Sequence, residues 1–534
     1  MKMKSKFKRA LACATAAALA ASVCACGKGG EKKTAEAEVN KSGFPIVDQP
    51  ITLKVMAAKF ASHSNWDDMM LWKEYEKMTG IHIQWQCVPT ESIAEKKNIA
   101  LASGDIPDIF YRTYMGQQEF VSNGQQGVFI ELNDLINNYA PELSKLMKDR
   151  PDVAQTITQS NGKIYSLPSV TEDKMSIAMK GWINQEWLNK LGLKNPQNID
   201  EFYNVLKAFK ERDPNGNGKA DEIPLSGWSI KEVLKTMEGS FGLANRGYHL
   251  SATYFDAGPD GKMRCFATSE NFKSMLEDLN KLWQEGLLDQ EILTQQTPQF
   301  TAKSEQGRIG ACLQGNSPIA FGNNMYKNYV ALNPLKGADG NVMVTNIGTG
   351  TSDGTFVITK ANKYPEASMR WIDYFYGDEG ARMLRMGFEG VTYTVNDKGE
   401  YNYTDDIVNN PDGLDLDQAV GKFTIWPGGG HPGVNMMKYM KSSATWPVSL
   451  EANELYRPYI PKEICQFTFS VEELDEMSKY AQIVPYIEEN ATKFIVGKKS
   501  FSEWDKYVSE IENMDVKGLE NIYQQAYERW KKVN

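Results

Sequence analysis

The sequence predicts an α/β protein built as two lobes, with a helix-rich C-terminal region. Three observations predict this architecture. The chain has 534 residues, whereas a single hydrophobic core usually serves up to about 250 to 300 residues, so at least two lobes are needed. Strand and helix patterns alternate in the first half of the chain, and helix patterns dominate its last third.

A β-α-β unit is predicted from about residue 51. Residues 51–55 alternate between apolar and polar side chains, a helical stretch follows over about 67–78, and the alternation resumes over 81–87. Another helix is predicted to begin at Asn198, because Glu201 stands three residues later at capping-box spacing. Parallel strands joined by helices are therefore expected in both halves.

The last third of the chain is predicted to form long amphipathic helices. Ser470 with Glu473, and Ser500 with Glu503, have the spacing of capping boxes. Aromatic and aliphatic residues follow at helical spacing, a pattern typical of a helix face packed on a core rather than of a ligand site.

The charge balance disfavours a nucleic-acid-binding function. The chain has 59 basic and 68 acidic residues, which gives a formal net charge of -9, and a broad basic footprint is therefore not expected. The chain has only four histidines, which disfavours imidazole catalysis and a metal centre with several histidine ligands.

The N-terminus has the pattern of a secretory signal over 1–25. Its first nine residues carry five basic side chains and precede an uncharged, alanine-rich run over 10–23, too short for a transmembrane helix of ~20 strongly apolar residues. Cys26 follows Ala25 and ends a segment that resembles a bacterial lipobox. We expect Cys26 to carry the lipid, including palmitate, and 26–48 to form a flexible tether; ordinary secretion is the alternative.

Four further cysteines are spread through the chain, at Cys87, Cys265, Cys312 and Cys465. They are far apart and show no Cys-x-x-Cys pairing, so they do not form a disulfide framework. Buried free thiols are expected, although three disulfide connectivities are possible in principle.

Several segments resemble one family. They are GDIPDIF over 104–110, GKIYSLP over 162–168, WLNKLG over 187–192, MRWIDYFYGDEG over 369–380 and GFEGVTYT over 387–394. In this order the chain resembles family 1 extracellular solute-binding lipoproteins of carbohydrate ABC importers, and it is similar to LplA-like lipoproteins and to the calcium-containing binders of alginate-type oligosaccharides.

The resemblance implies a two-lobed, type II periplasmic-binding-protein-like fold. Lobe 1 is expected over 49–167 plus about 308–362, and lobe 2 over 168–307 plus about 363–534. An oligosaccharide would bind in the cleft between the lobes and be delivered to a membrane permease. The protein would be a lipid-anchored monomer on the extracytoplasmic face of the cell membrane, without catalytic activity.

A calcium loop is predicted over 213–224, where oxygen donors recur at every second residue as in an EF-hand. Pro224 occupies the twelfth position, where an EF-hand has its bidentate glutamate, so Asp221 or Glu222 has to supply the closing carboxylate. A surface turn is the alternative, because Asp, Asn, Gly and Pro are common turn residues. The resemblance implies a structural Ca²⁺ held by side chains and, at Lys219, by the carbonyl: Asp213, Asn215, Asn217, Lys219, Asp221 and Glu222.

Candidate ligand-binding residues follow predicted strands or stand beside glycines, where loops can present them to a cleft. Sugars offer C–H faces and hydroxyl edges, so aromatic and planar polar side chains are expected. The candidates are Trp66, Asp108, Arg112, Trp228, Glu389 and Trp426. Each tryptophan could equally belong to the core, Asp108 could bond the local backbone, and Glu389 could be an exposed turn carboxylate. Arg112 could bind a uronate carboxylate or form a surface ion pair.

Two other functions compete with oligosaccharide binding. A glycoside hydrolase also binds sugars in a cleft and needs only two suitably spaced carboxylates. A binder of peptides or other solutes would keep the fold and the anchor. The sequence contains no GxSxG, HExxH or Walker motif, which removes the support for serine hydrolase, zinc protease and nucleotide-binding functions.

Overall fold

The computed structural model describes residues 38–172, 180–245, 253–314, 321, 325–344, 350–426, 429–441, 447–461 and 467–533. The predicted signal segment, Cys26 and Cys465 lie outside these ranges. None of the helices within them combines the length and the apolar character needed to cross a bilayer.

The strands of the described residues, in chain order, are β1 (Ile51–Lys59), β2 (Ile81–Pro89), β3 (Ile109–Tyr111), β4 (Leu167–Thr171), β5 (Lys180–Asn184), β6 (Ile223–Ser226), β7 (Phe255–Ala257), β8 (Met263–Cys265), β9 (Ile309–Gln314), β10 (Tyr329–Ala331), β11 (Thr351–Ile358), β12 (Tyr393–Val395), β13 (Tyr401–Tyr403) and β14 (Gly433–Asn435).

The helices are α1 (Met70–Thr79), α2 (Ile93–Ser103), α3 (Gln117–Gln125), α4 (Asn133–Tyr139), α5 (Pro141–Asp149), α6 (Pro151–Ile157), α7 (Gln185–Leu191), α8 (Ile199–Glu211), α9 (Ile230–Met237), α10 (Glu270–Gln284), α11 (Thr297–Glu305), α12 (Pro365–Asp373), α13 (Asp378–Met386), α14 (Asp405–Val408), α15 (Leu416–Val420), α16 (Pro447–Tyr456), α17 (Val471–Met477), α18 (Ile483–Ile495), α19 (Trp504–Asn513) and α20 (Val516–Val533).

A six-stranded sheet has the spatial order β14-β4-β11-β3-β1-β2. β1 pairs in parallel with β2 and β3, and α1 connects β1 to β2, so the predicted β-α-β unit is confirmed. β11 runs antiparallel to both of its neighbours, β3 and β4, while β14 runs parallel to β4. β3, β4 and β14 therefore point in the same direction as β1.

A four-stranded sheet has the order β10-β5-β9-β6. β6 runs parallel to β9, and β5 runs antiparallel to β9 and to β10. The C-terminal helices pack on this sheet's core, as their helical spacing predicts: Trp504 and Ile511 are buried in it, and Phe501 and Val508 are partly buried against it. Tyr507, which was not in the predicted stripe, is buried as well. The predicted helix start at Asn198 is also confirmed, because its side chain accepts the backbone N–H of Glu201 at 2.8 Å.

The chain passes between the two sheets three times, between residues 172 and 180, between 344 and 350, and between 441 and 447. We call the six-stranded sheet with its helices lobe 1 (38–172 and 350–441) and the four-stranded sheet with its helices lobe 2 (180–344 and 447–533).

The boundaries differ from those expected from the sequence. The range 308–362 is divided, because β9 and β10 pair in the four-stranded sheet and β11 pairs in the six-stranded sheet. Within 363–534, which was assigned to lobe 2, α12 and α13 bury apolar residues such as Met369 and Leu384 in the core of lobe 1. An apolar strand or helix face predicts burial but does not specify which sheet receives it.

The end of the expected tether packs on lobe 1. Val39 pairs with Val47, and the Arg370 guanidinium donates hydrogen bonds to the carbonyls of Asn40 (3.1 Å) and Gly43 (2.6 Å). The chain is therefore bound to the body of lobe 1 from about residue 39, earlier than the predicted boundary at 48.

The three cysteines in the described residues are free thiols. Cys265 and Cys312 are buried, as expected, whereas Cys87 on β2 is half-buried. Burial raises the pKa of the Cys265 thiol to about 12, so it is protonated at neutral pH.

Candidate functional site

The carboxyl ends of the strands in both sheets lie at the crossings between the lobes. In lobe 1, β4 ends at Thr171, just before the first crossing, and points the same way as β1 and β3. In lobe 2, β5 enters at Lys180, which pairs with Gln314 at the end of β9, and β6 is parallel to β9. Loops that follow β1, β3, β6 and β9 therefore lie where a cleft between the lobes would open.

Arg112 follows β3 on the lobe 1 side of this cleft and is only 1% exposed. Its backbone N–H donates to the Thr355 carbonyl at 2.6 Å, and its guanidinium carbon lies 4.1 Å from the centre of the Phe60 ring and 5.2 Å from that of Tyr114. Burial lowers the pKa of Arg112 to about 10, so the side chain stays charged at neutral pH. The result is a buried cation beside two aromatic rings.

Tyr114 presents its ring to solvent, since 49% of the residue is exposed. Both Tyr114 and Arg112 have φ angles of 52°, in the left-handed region that non-glycine residues seldom adopt. Hydrogen bonds fix the end of this loop. The Glu119 carboxylate accepts one from the Gly116 backbone N–H at 2.9 Å and one from the buried Lys97 ammonium at 2.7 Å. Tyr114 is therefore an exposed aromatic residue in a loop that is fixed by hydrogen bonds.

Trp66, the candidate after β1, is fully buried in lobe 1. Its ring packs edge-to-face against Trp85 at 4.7 Å and Tyr111 at 5.9 Å, and its Nε1 donates to His63 Nδ1 at 3.3 Å. His431 is also buried, with its ring 6.0 Å from that of Tyr111. Trp66 and His431 thus pack on Tyr111, the residue directly before Arg112.

Asp108 and Arg112 lie at opposite ends of β3. Asp108 precedes the strand, at the amino end, and its carboxylate accepts the backbone N–H of Lys54 at 2.7 Å. The structure therefore does not bring Asp108 to the crossing edge. Its carboxylate bonds the backbone of β1, 54 positions away in the sequence, and not the local backbone that the alternative expected.

Trp228 follows β6 on the lobe 2 side of the cleft and is half-buried. It packs on a cluster that contains Trp182, Phe300 and Cys312. Gly227 precedes it where no side chain fits, because a Cβ there would lie 2.8 Å from the Leu313 carbonyl oxygen. Trp228 therefore packs on this cluster while part of the residue stays exposed to solvent.

Trp426 and Glu389 belong to the later part of lobe 1. The Arg385 guanidinium carbon lies 3.6 Å from the centre of the Trp426 ring, and burial lowers the pKa of Arg385 to about 10. Glu389 is exposed in the turn between α13 and β12, flanked by Gly387 and Gly390, which both have positive φ angles. The described contacts connect neither residue to Arg112 or Trp228.

The predicted calcium loop is a turn cross-linked by its own polar groups. Asp213 accepts the backbone N–H groups of Gly216, Asn217 and Gly218 at 3.0 to 3.1 Å. The amides of Asn215 and Asn217 both donate to Asp221 Oδ1 at 3.0 Å, and these bonds lower the pKa of Asp221.

Glu222 completes the acidic side of this loop. Its Oε1 is buried, and no described residue donates a hydrogen bond to it. Burial, with the nearby carboxylates of Asp213 and Asp221, raises the pKa of Glu222. No group of three or more carboxylate, imidazole or thiol side chains in the described part of the chain is arranged to hold a metal ion. The donor chemistry, carboxylate and amide oxygens beside one buried carboxylate oxygen that receives no hydrogen bond from a described residue, nevertheless fits Ca²⁺.

Two residues of this site, Phe60 and Tyr114, were not among the candidates from the sequence. Tyr114 carried a local signal, an aromatic residue two positions after Arg112 in a loop that follows a buried strand. Phe60 carried a weaker one, as an aromatic residue directly after β1.

Comparisons with known proteins agree with this architecture. Residues 60–382 match the sequence model of a family described as bacterial extracellular solute-binding protein. The chain is 29% identical over 538 aligned residues to the fructooligosaccharide ABC transporter substrate-binding protein FusA of Streptococcus pneumoniae, covering 94% of this chain and 95% of FusA.

Solved structures give the same result. FusA of S. pneumoniae in complex with kestose matches with a TM-score of 0.76 and 26% identity, over 91% of this chain and 100% of that one, and an EF-hand mutant of FusA matches equally well. The alginate-binding protein AlgQ2 without calcium ion matches with a TM-score of 0.73 and 24% identity, over 90% of this chain and 98% of that one.

The expected two-lobed α/β fold and the family resemblance are thereby confirmed. Because the family model matches more than half of the 534 residues, this chain belongs to the bacterial extracellular solute-binding proteins, a family of binding proteins rather than enzymes.

Proposed function

We propose that the protein captures an oligosaccharide between its lobes, outside the cytoplasm, and delivers it unaltered to an ABC importer. The observation that carries the proposal is a pair of partly exposed aromatic residues in loops that follow strands ending beside the crossings, Tyr114 on lobe 1 and Trp228 on lobe 2. FusA, a relative over nearly the whole chain, is described as binding fructooligosaccharides for such a transporter.

The chemistry of these residues suits a sugar. Aromatic rings provide flat apolar surfaces for the C–H faces of a sugar ring, and an exposed tyrosine adds a hydroxyl for the polar edge. Arg112, charged and buried beside Tyr114, fixes that ring through a cation–π contact. A ligand held by Tyr114 alone would leave the lobes independent, whereas one that also contacts Trp228 would favour the closed arrangement.

Closure is then driven by the ligand's contacts to both lobes. A nearly complete switch from open to closed requires about 5.5 kcal/mol of differential affinity. The three crossings permit such a motion, because each lobe has its own sheet and core.

Isothermal titration of the purified protein with kestose, alginate oligomers, oligogalacturonates and tripeptides tests the proposal. We expect one carbohydrate to bind with a negative heat-capacity change and to be recovered at its original length. Binding of the tripeptides alone would favour the peptide-binding alternative, and shortened sugars would favour a glycoside hydrolase.

We further propose that the 213–222 loop holds a structural Ca²⁺. The carboxylates of Asp213, Asp221 and Glu222 would supply the charge, with the side-chain oxygens of Asn215 and Asn217 and the carbonyl of Lys219 completing the ligands. The mutual electrostatic repulsion of the three carboxylates is the physical support, and the FusA EF-hand mutant indicates a loop of this kind in a relative. Calcium would crosslink the loop and would not contact the bound oligosaccharide.

We also propose that lipid on Cys26 anchors a monomeric protein to the outer face of the cell membrane. The support is the lipobox-like segment that ends the predicted signal. Mass spectrometry of the protein from native membranes should find a lipidated N-terminal Cys26, and a protein of unmodified mass in the culture medium would reject the anchor.

A further inference from the structure

A buried polar network lies directly beneath the turn that carries Trp228. The Lys303 ammonium, on α11, donates to Asp289 Oδ1 (3.0 Å) and Oδ2 (2.9 Å) and to Gln295 Oε1 (3.0 Å). Asp289 also accepts the Ser226 hydroxyl at 2.7 Å. All four side chains are less than a tenth exposed.

Gln295 connects this network to the turn. Its amide Nε2 donates to the carbonyl oxygen of Gly227 at 2.5 Å and to Ser226 Oγ at 3.3 Å. Because Gly227 immediately precedes Trp228, the amide fixes the peptide from which the tryptophan projects. Gly227 also packs closely against the Leu313 carbonyl, and Ser229, directly after Trp228, caps α9 by accepting the Glu232 backbone N–H at 3.4 Å.

A buried ion pair such as Lys303–Asp289 adds little net stability to a lobe core. Burying an ammonium and a carboxylate costs desolvation energy that their attraction repays only with good geometry, and apolar residues of similar size often give equal or greater stability. Here each buried group is satisfied. Lys303 and Asp289 also bond Glu291, through its carboxylate at 2.8 Å and its backbone N–H at 3.0 Å, while Ser226 and Gln295 connect the network to the turn at the crossing edge. The arrangement is therefore suited to holding that turn in one conformation.

The indole N–H of Trp228 is not available to solvent. Its Nε1 is buried, and no described residue accepts a hydrogen bond from it. The indole therefore has no exposed N–H donor, and what it can offer a ligand is the apolar surface of its ring.

We propose that Gln295, held by Lys303 and Asp289, is a positioning residue that fixes the Gly227–Trp228 turn so that the Trp228 ring stacks on one sugar unit of the ligand. The assignment rests on the proposed oligosaccharide-binding function. Gln295 itself would not touch the sugar, since it is buried behind Gly227.

The first test needs no ligand. Gln295→Met keeps the side-chain length and removes the amide, and hydrogen exchange of a peptide over 225–232 should become about fivefold faster or more. The matched control is Asn280→Leu, which removes an amide that also bonds backbone carbonyls in lobe 2, those of Phe494 and Ile495. It should leave exchange over 225–232 unchanged. Unaltered exchange in Gln295→Met would overturn the positioning role.

The second test is a double-mutant cycle for kestose affinity, measured by titration calorimetry. Gln295→Met and Trp228→Leu should each raise Kd about fivefold or more, and Gln295→Met should raise it less than about twofold when Trp228 is already leucine. Additive effects would show that Gln295 does not act through Trp228 and would overturn the inference.

The outcomes separate the inference from the function on which it rests. If neither kestose nor oligogalacturonates nor alginate oligomers bind, the proposed function and the stacking role of Trp228 are both rejected, whatever the exchange result. If sugars bind but Trp228→Leu leaves Kd unchanged, the function stands and the inference is rejected.

Discussion

The Arg112 guanidinium carbon lies 5.2 Å from the centre of the Tyr114 ring, so a buried cation lies beside an exposed aromatic surface. The two residues are separated by one position and share the left-handed backbone conformation. Their loop bonds to β11 through the Thr355 carbonyl, which ties the ring to the central part of the lobe 1 sheet.

Replacing Tyr114 with alanine should weaken ligand binding and leave stability almost unchanged. The ring is 49% exposed, so little core packing is lost, whereas a stacking contact of about 1 to 2 kcal/mol corresponds to roughly a fivefold to thirtyfold rise in Kd. Titration calorimetry with kestose and thermal unfolding measure the two quantities.

The matched control for Tyr114→Ala is Phe44→Ala, in the same lobe. Phe44 is 44% exposed but contacts Tyr75 and Tyr374, near the amino ends of β1 and β2. Its replacement should leave Kd unchanged. Equal effects of the two variants on Kd would remove Tyr114 from the proposed site.

Removing calcium should lower the melting temperature. At a free calcium concentration of 100 times Kd, binding to the folded state alone adds about 2.7 kcal/mol of stability. Scanning calorimetry with calcium and with a strong chelator measures the difference. Asp213→Asn should abolish most of it, while Asp260→Asn, in a comparable turn in which Asp260 accepts the Lys262 backbone N–H, should preserve it.

The chelation experiment also discriminates between the two interpretations of the loop. If the melting temperature of the wild-type chain does not respond to chelator, and elemental analysis finds no metal in the sample, the 213–222 loop is a polar turn.

Asp373 should make stability depend on pH. Burial raises its pKa to about 6, although its carboxylate accepts the backbone N–H groups of Glu142 and Leu143. The folded state therefore holds a proton that the unfolded state has released, so this residue's contribution to stability decreases as pH rises from about 4 to about 6 and is constant above that.

The total change expected from Asp373 is about 3 kcal/mol, because one pKa unit corresponds to about 1.4 kcal/mol. Urea unfolding at several pH values should give a smaller decline between pH 4 and 6 for Asp373→Asn than for the wild-type chain. Parallel curves for the two proteins would contradict the raised pKa.

Replacing Arg370 with methionine should release the N-terminal segment without affecting the ligand. Its guanidinium holds the carbonyls of Asn40 and Gly43, so the variant should be cut faster by proteases within 38–48, with unchanged Kd. Arg264→Lys, a replacement at an ion pair in lobe 2, is the control. Equal cleavage rates in wild type and Arg370→Met would show that other contacts hold the segment.

Local structure was largely predictable from the sequence because its causes are local. The alternation at 51–55 and the capping residue Asn198 act within a few positions, and both predictions are confirmed. The capping boxes at Ser470 and Ser500 also form as their spacing predicts.

The lobe boundaries and most of the site depend on distant contacts. The apolar sequence of β9 predicts a buried strand but does not specify its sheet. β9 belongs to lobe 2 because it pairs with β5 and β6. Trp66 is buried because Trp85 and Tyr111, from two other strands, surround it. The Arg112 side chain packs on Phe60, 52 positions earlier in the sequence, and no local pattern encodes that contact.

The three crossings impose an order on biosynthesis. β11 lies between β3 and β4 in the middle of the lobe 1 sheet, yet it follows β9 and β10 of lobe 2 in the chain. A nascent chain that ends before residue 351 lacks β11 and cannot complete the lobe 1 sheet. The edges of β3 and β4 that pair with β11 therefore stay unpaired until β11 has been synthesised. A chaperone that shields the emerging polypeptide would therefore have to stay bound until about two thirds of the 534 residues have been made.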